Sequence, residues 1–240
     1  MEYVLNVLAV SLAVLQVGTV ILLLLRGPVR KYAFVLAYCS LQVGTSLVEM
    51  LIERKFGRTG KLYAAAFWTD EIALDLLLFF ILILLTYRAM EGSPAQKQMG
   101  RMLGAVTLIV MVLPFVLYKG APNVLDLGSM TAVKTAWFDH TSQLLNFGAA
   151  ILNLGLWGAL VASRRKDTQL LTVSAGFGIV ATGVAISFGM RRLIVAHGAA
   201  VRGGALWESA NLVFILAHLA GAAILCWAFR PVRVKGADVA

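Results

Sequence analysis

Phe67–Asp75 reads FWTDEIALD and continues without a break into LLLFFILILL at residues 76–85. Three carboxylates, Asp70, Glu71 and Asp75, therefore stand at the mouth of an apolar run long enough to cross a bilayer. Acids this close to hydrocarbon are costly. They face a bundle interior or a water-filled cavity rather than lipid.

The rest of the chain agrees with that reading. Of 240 residues, 60% are hydrophobic and 14% charged, and mean hydropathy is +0.85. Soluble domains carry nearer a quarter charged residues. The net charge of +9 does not point to nucleic acid, because the lysines and arginines are confined to short segments between apolar runs. Cys39 and Cys226 both lie inside such runs and read as small buried hydrophobes rather than a disulfide framework. The opening MEYVLNVLAV has an acid and no basic n-region, so the first run reads as a retained span.

Runs of about 20 apolar residues give seven spans: 3–25, 33–52, 67–87, 102–118, 137–162, 170–190 and 206–229. Pro114 falls inside the fourth and removes a backbone donor there. With the N-terminus outside, twelve lysines and arginines fall on the inner face and nine on the outer; only Glu91, Asp167 and Asp238 join the inner set. The inner face is then about +9 and the outer half near neutral. The expected fold is an all-α integral membrane protein, a seven-helix bundle forming a single domain, N-out and C-in, of the bacterial inner-membrane type. No connection is long enough for a soluble domain, and the longest, residues 120–134, has the Gly and Pro signals of a turn with a short surface helix.

A shift of about 138 residues lays LLLLRGPVRKYAF over LVASRRKDTQLLT, and a shift one residue larger brings FWTDE near LWESA. This suggests two three-span halves joined by a fourth, connecting span, whose polar content is almost limited to Thr107. The 3+1+3 organisation is similar to that of the SWEET sugar carriers and their PQ-loop relatives in span number and outside N-terminus. The Pro-Gln pair of that group is missing, and so are helix-breaking prolines in spans one, two, five and six. The literal repeat LQVGT (15–19 and 41–45) joins neighbouring antiparallel spans and reads as coincidence.

Residues three and four apart share a helix face. Span two then presents Gln42, Thr45, Ser46, Glu49 and Glu53 on one stripe, and span three groups Trp68, Glu71 and Asp75. Span five aligns Asp139, Gln143, Asn146 and Asn153 beside His140, and span seven offers Glu208, Asn211 and His218. Their convergence predicts a polar pocket open to the outside, bound by Gln42, Glu49, Glu71, Asp75, Asp139, His140, Gln143, Asn146, Glu208 and Asn211. Arg191 and Arg192 stand as counter-charges. Asp70 reads as a hydrated boundary residue, His218 as an interhelical hydrogen bonder, and the asparagines as packing glue in their bland reading. Gly176, Gly178, Gly183 and Gly189 read as close-approach positions, and Trp68, Trp137 and Trp207 as an aromatic belt.

Several classes drop out. A retinal protein needs a lysine in its last span, and residues 204–229 contain none. Three histidines, with His197 in a loop, leave too few ligands for a zinc hydrolase. No catalytic, cofactor or metal motif is present, so the expectation is a non-enzyme. A carrier binding a small solute or cation comes first. A receptor, sensor or accessory subunit of a larger complex, or a homo-oligomer, is the alternative. The bilayer is a partner in either case, and nucleic acid in neither.

Overall fold

The computed structural model describes residues 2–26, 29–57, 60–91, 96–117, 132–162, 167–196 and 204–230. Among these every regular element is an α-helix: α1 (Glu2–Arg26), α2 (Ala33–Phe56), α3 (Lys61–Ala89), α4 (Gln96–Leu117), α5 (Ala132–Ala162), α6 (Thr168–Ala196) and α7 (Ala205–Ala228). The surface helix expected within 120–134 falls outside the described residues as far as 131, as do many cations of the connecting segments.

Six helices are long and apolar enough to cross a membrane: α1 to α4, α6 and α7. Helix α5 has 31 residues, which reach roughly 46 Å at 1.5 Å per residue, ample for a crossing, and its stretch 145–162 carries no charged residue. Part of its polar face is turned into the protein, with Ser142 and Asn146 buried.

The helices form a ring in the order α1, α2, α3, α5, α6, α7, closed by α7 against α1. Helix α4 stays outside the ring, against α3 and α5. Its exposed face carries Leu108, Ile109, Val112, Phe115 and Val116, while α1 turns Val7, Val10, Val14, Val17, Ile21 and Leu24 outward at alternating spacings of three and four. These helices are apolar outside and hide Gln16 and Thr19 inside, the arrangement that lipid as solvent demands.

The most extensive interface joins α6 to α7. A Cβ on Gly183 would fall on that of Ala217, and one on Gly221 would stand 2.8 Å from the Gly176 carbonyl. Close backbone approach there depends on the missing side chains. Gly178 makes room for Asn153 of α5, whereas a Cβ on Gly189 would meet nothing. Three of the four α6 glycines thus act as the sequence suggests.

One end of the bundle is tied by polar contacts. Lys31, between α1 and α2, pairs with Asp167 at 3.0 Å, and Arg88 at the end of α3 donates to the Lys31 carbonyl. Asp167 also caps α6 by accepting from the Leu170 N–H at 3.0 Å. The apolar core lies toward this end: Leu78, Phe79, Ile81, Leu82 and Leu85 of α3 meet Leu145 and Leu156 of α5 and Phe177 and Val180 of α6.

Candidate functional site

Toward the other end the same helices change character. A cavity of about 170 Å³ lies between α1, α2, α3, α6 and α7. Its polar walls are Tyr38, Gln42, Ser46 and Glu49 from α2, Asp70, Glu71 and Asp75 from α3, and His218 from α7. Spacings of three and four explain the grouping: 38, 42, 46 and 49 climb one face of α2, while 67, 71, 74, 75 and 78 do so on α3. Leu78 and Val180, which line the cavity, also belong to the apolar core beneath it.

The four carboxylates are provided for differently. Asp75, buried, accepts a hydrogen bond from Ser142 of α5. Asn146, one turn on, donates to the Ser142 carbonyl at 2.9 Å and backs the same group. Glu71 has Arg191 as its charged neighbour, and Asp139 shares that arginine from α5. Arg191 donates to Asn211 Oδ1 at 2.9 Å, with its guanidinium over Phe188, Trp207 and Phe214 at 5.2–5.7 Å. Glu49 and Asp70 are neighbours, and each keeps one buried oxygen (Oε1 and Oδ1) with no hydrogen-bond partner.

His218 bonds through Nδ1 to the Phe214 carbonyl of its own helix at 2.9 Å, not to another helix. That leaves its other edge for the cavity it lines. Among the described residues, no group of three or more His, Cys, Asp or Glu side chains is arranged to hold a metal ion.

Of the residues singled out in the sequence, Gln42, Glu49, Glu71 and Asp75 meet at the cavity. Asn146 stands behind Asp75, and Asn211 reaches the site only through Arg191. Asp139, His140, Gln143 and Glu208 do not line it. The reason is rotational: α5 turns Ser142, rather than Gln143, toward Asp75. Asp70, read as a boundary residue, lines the cavity with a buried oxygen. Tyr38 and Ser142 were missed, although each sits beside or one turn from a polar residue that was noticed. Trp137 is buried against Phe115 and Phe138, and Trp68 stacks on Phe138 at 5.9 Å, so both pack on protein.

A second space adjoins the first. A groove of about 930 Å³ runs between α2 and α3, past Leu41, Gly44 and Val48 on one side and Leu62, Ala66 and Ala73 on the other. Glu49 and Asp70 line both the groove and the cavity. Comparison with protein-family models, with curated proteins and with solved structures finds no match. The site's own chemistry is what bears on function.

Proposed function

We propose that this chain is a seven-span carrier, N-out and C-in, whose cavity takes a small cation or a cationic polar solute from the outer side. One observation carries the reading: Glu49, Asp70, Glu71 and Asp75 share one cavity with no lysine or arginine in its lining among the described residues. Arg191 stands beside Glu71, and the remaining acids are to be offset by protons or by a bound cation, because uncompensated charges in a low-dielectric interior are strongly unfavourable.

The crossing of α5 has its own support. The Lys31–Asp167 pair joins the connection between α1 and α2 to that between α5 and α6, which requires an even number of crossings between them. Arg30, Lys31, Arg88, Lys97, Arg101 and Arg230 belong to segments at that end, which favours placing it inside. The ring order is also what two halves, α1–α3 and α5–α7, related by a pseudo-two-fold axis would produce, with α4 as connector.

The test is uptake into proteoliposomes across a panel of inorganic and organic cations. Wild type accumulates at least one of them. Glu49→Gln and Asp75→Asn each lower the rate at least tenfold while the protein still purifies as a folded species. No uptake of any cation, or uptake indifferent to both substitutions, would end the carrier reading. The second reading, a receptor or accessory subunit, is favoured by the packed core beneath the cavity, where Leu78, Phe79 and Phe177 are fully buried. It requires a stoichiometric partner on mild detergent extraction, and isolation of this chain alone would count against it.

A further inference from the structure

Volume is the first guide to what the site holds. The cavity of about 170 Å³ is well below the roughly 300–1,000 Å³ of sites that enclose a whole drug-sized ligand. It suits a head group. The groove of about 930 Å³ is large enough for the body of a molecule, and its walls are almost wholly apolar. Its width comes from small side chains: Ala65, Ala66 and Ala73 face Gly44, where an added Cβ would meet nothing within 4 Å. The Thr45 hydroxyl is engaged by protein, with the Leu41 and Gln42 carbonyls at 2.9 and 3.2 Å and with the Asp70 carboxylate.

Charge is the second guide. Where groove and cavity join stand Glu49 and Asp70, each with an unpartnered buried oxygen. Just within, Gln42 is only 8% exposed and lines the cavity. Buried oxygens such as those of Glu49 and Asp70 ordinarily have a partner. An anion is repelled at that junction, and a bare hydrophilic cation leaves the apolar groove without a purpose. A neutral lipid satisfies the groove and leaves Glu49 Oε1 and Asp70 Oδ1 unanswered.

We propose that the ligand is an amphiphilic organic cation that enters sideways from the bilayer between α2 and α3, its body in the groove and its ammonium head between Glu49 and Asp70. The proposal rests on the carrier reading only in treating this cavity as the substrate site, for which it names the substrate class and the way in.

The probe is dodecyltrimethylammonium with a terminal diazirine, photolysed on the full chain in nanodiscs and mapped by mass spectrometry. Labels are expected within 41–48 and 62–73. Excess unlabelled dodecyltrimethylammonium should cut them at least tenfold. Tetramethylammonium or 1-dodecanol at the same concentration should leave most of the labelling in place. Equal competition by tetramethylammonium would show that the head alone is recognised, and equal competition by dodecanol the tail alone; either overturns the proposal, as does labelling spread evenly over exposed helix faces.

The double variant Glu49→Gln/Asp70→Asn should lose the labelling. Should it fail to fold, Gly44→Phe decides, because its new ring fills the groove and leaves the carboxylates in place. It too should lose labelling, and full labelling of a folded Gly44→Phe would overturn the proposal. The two readings fail separately. Cation uptake dependent on Glu49 without groove labelling sinks the lateral route alone, and labelling without uptake sinks the carrier reading while keeping the site.

Discussion

The two halves of α3 make the most instructive contrast in the molecule. From Leu78 to Leu85 the helix buries Leu78, Phe79, Ile81, Leu82 and Leu85 against α5 and α6 as a close-packed apolar wall. From Phe67 to Asp75 the same helix lines a cavity with three carboxylates. Both halves face the same interior, so position in the ring does not separate them. What differs is the neighbours: Leu145, Leu156, Phe177 and Val180 at one end, and Tyr38, Gln42, Ser46 and Glu49 at the other. One half holds the bundle together. The other is arranged at a cost to stability, and such a cost points to binding.

The largest expected effect breaks the packed half. Phe79→Ala, at a fully buried ring, should cost about 3–5 kcal/mol and lower the melting temperature in detergent sharply. Phe67→Ala, at a half-buried ring on the cavity side, should cost clearly less, and equal losses would erase the contrast. Next is Gly183→Leu, whose side chain has no room against Ala217 and should cost about 1–3 kcal/mol. Gly189→Leu on the same helix should be near neutral, since a Cβ there meets nothing.

Smaller again is Ser142→Ala. It removes the donor that serves Asp75, which leaves a buried carboxylate short of one partner, at about 1–3 kcal/mol. In a thermal-shift series the loss should shrink when Asp75→Asn is added, because the two side chains form one unit.

The smallest effect lies outside the spans. Partial burial disfavours the charged form of Asp167, but the Leu170 N–H and the Lys31 ammonium outweigh it and hold the carboxyl below its usual value. Lys31 is also partly buried, yet its bond to Asp167 outweighs that and holds the ammonium above its usual value. A lowered acid contributes stability that is present above the ordinary carboxylate value near 4 and is lost as pH falls through the lower, folded value. A raised lysine contributes below about 10.4 and loses that contribution as pH rises through its folded value. Both groups are more than a third exposed, so the pair is worth no more than roughly 1 kcal/mol. Lys31→Ala should lower the melting temperature slightly at neutral pH, where the pair is intact, and change it least at the acidic and alkaline ends, where that contribution is already lost, so that this pH dependence flattens.

Helix number and the inward direction of the polar stripes were legible from the chain because lipid enforces them. Polar residues at spacings of three and four have one place to go, and Gln42, Glu49, Glu71 and Asp75 went there. Which helix presents which residue was not legible, since a rotation of one position in α5 exchanges Gln143 for Ser142. Gln16 and Thr19 were hidden in the first copy of LQVGT, whose glutamine is buried like Gln42 of the second. The groove was invisible for a different reason. It is made by side chains that are missing, at Gly44, Ala65, Ala66 and Ala73, and small residues in a membrane helix signal close packing as readily as open space.

The central claim is that the acidic half of the bundle binds a cation, whether to move it or to report it. Equilibrium binding of radiolabelled dodecyltrimethylammonium to the purified chain in nanodiscs, against Glu49→Gln/Asp70→Asn of verified fold, tests this most directly. The account predicts saturable binding to the wild type, weakened at least tenfold in the variant. Equal binding by the two proteins would contradict it.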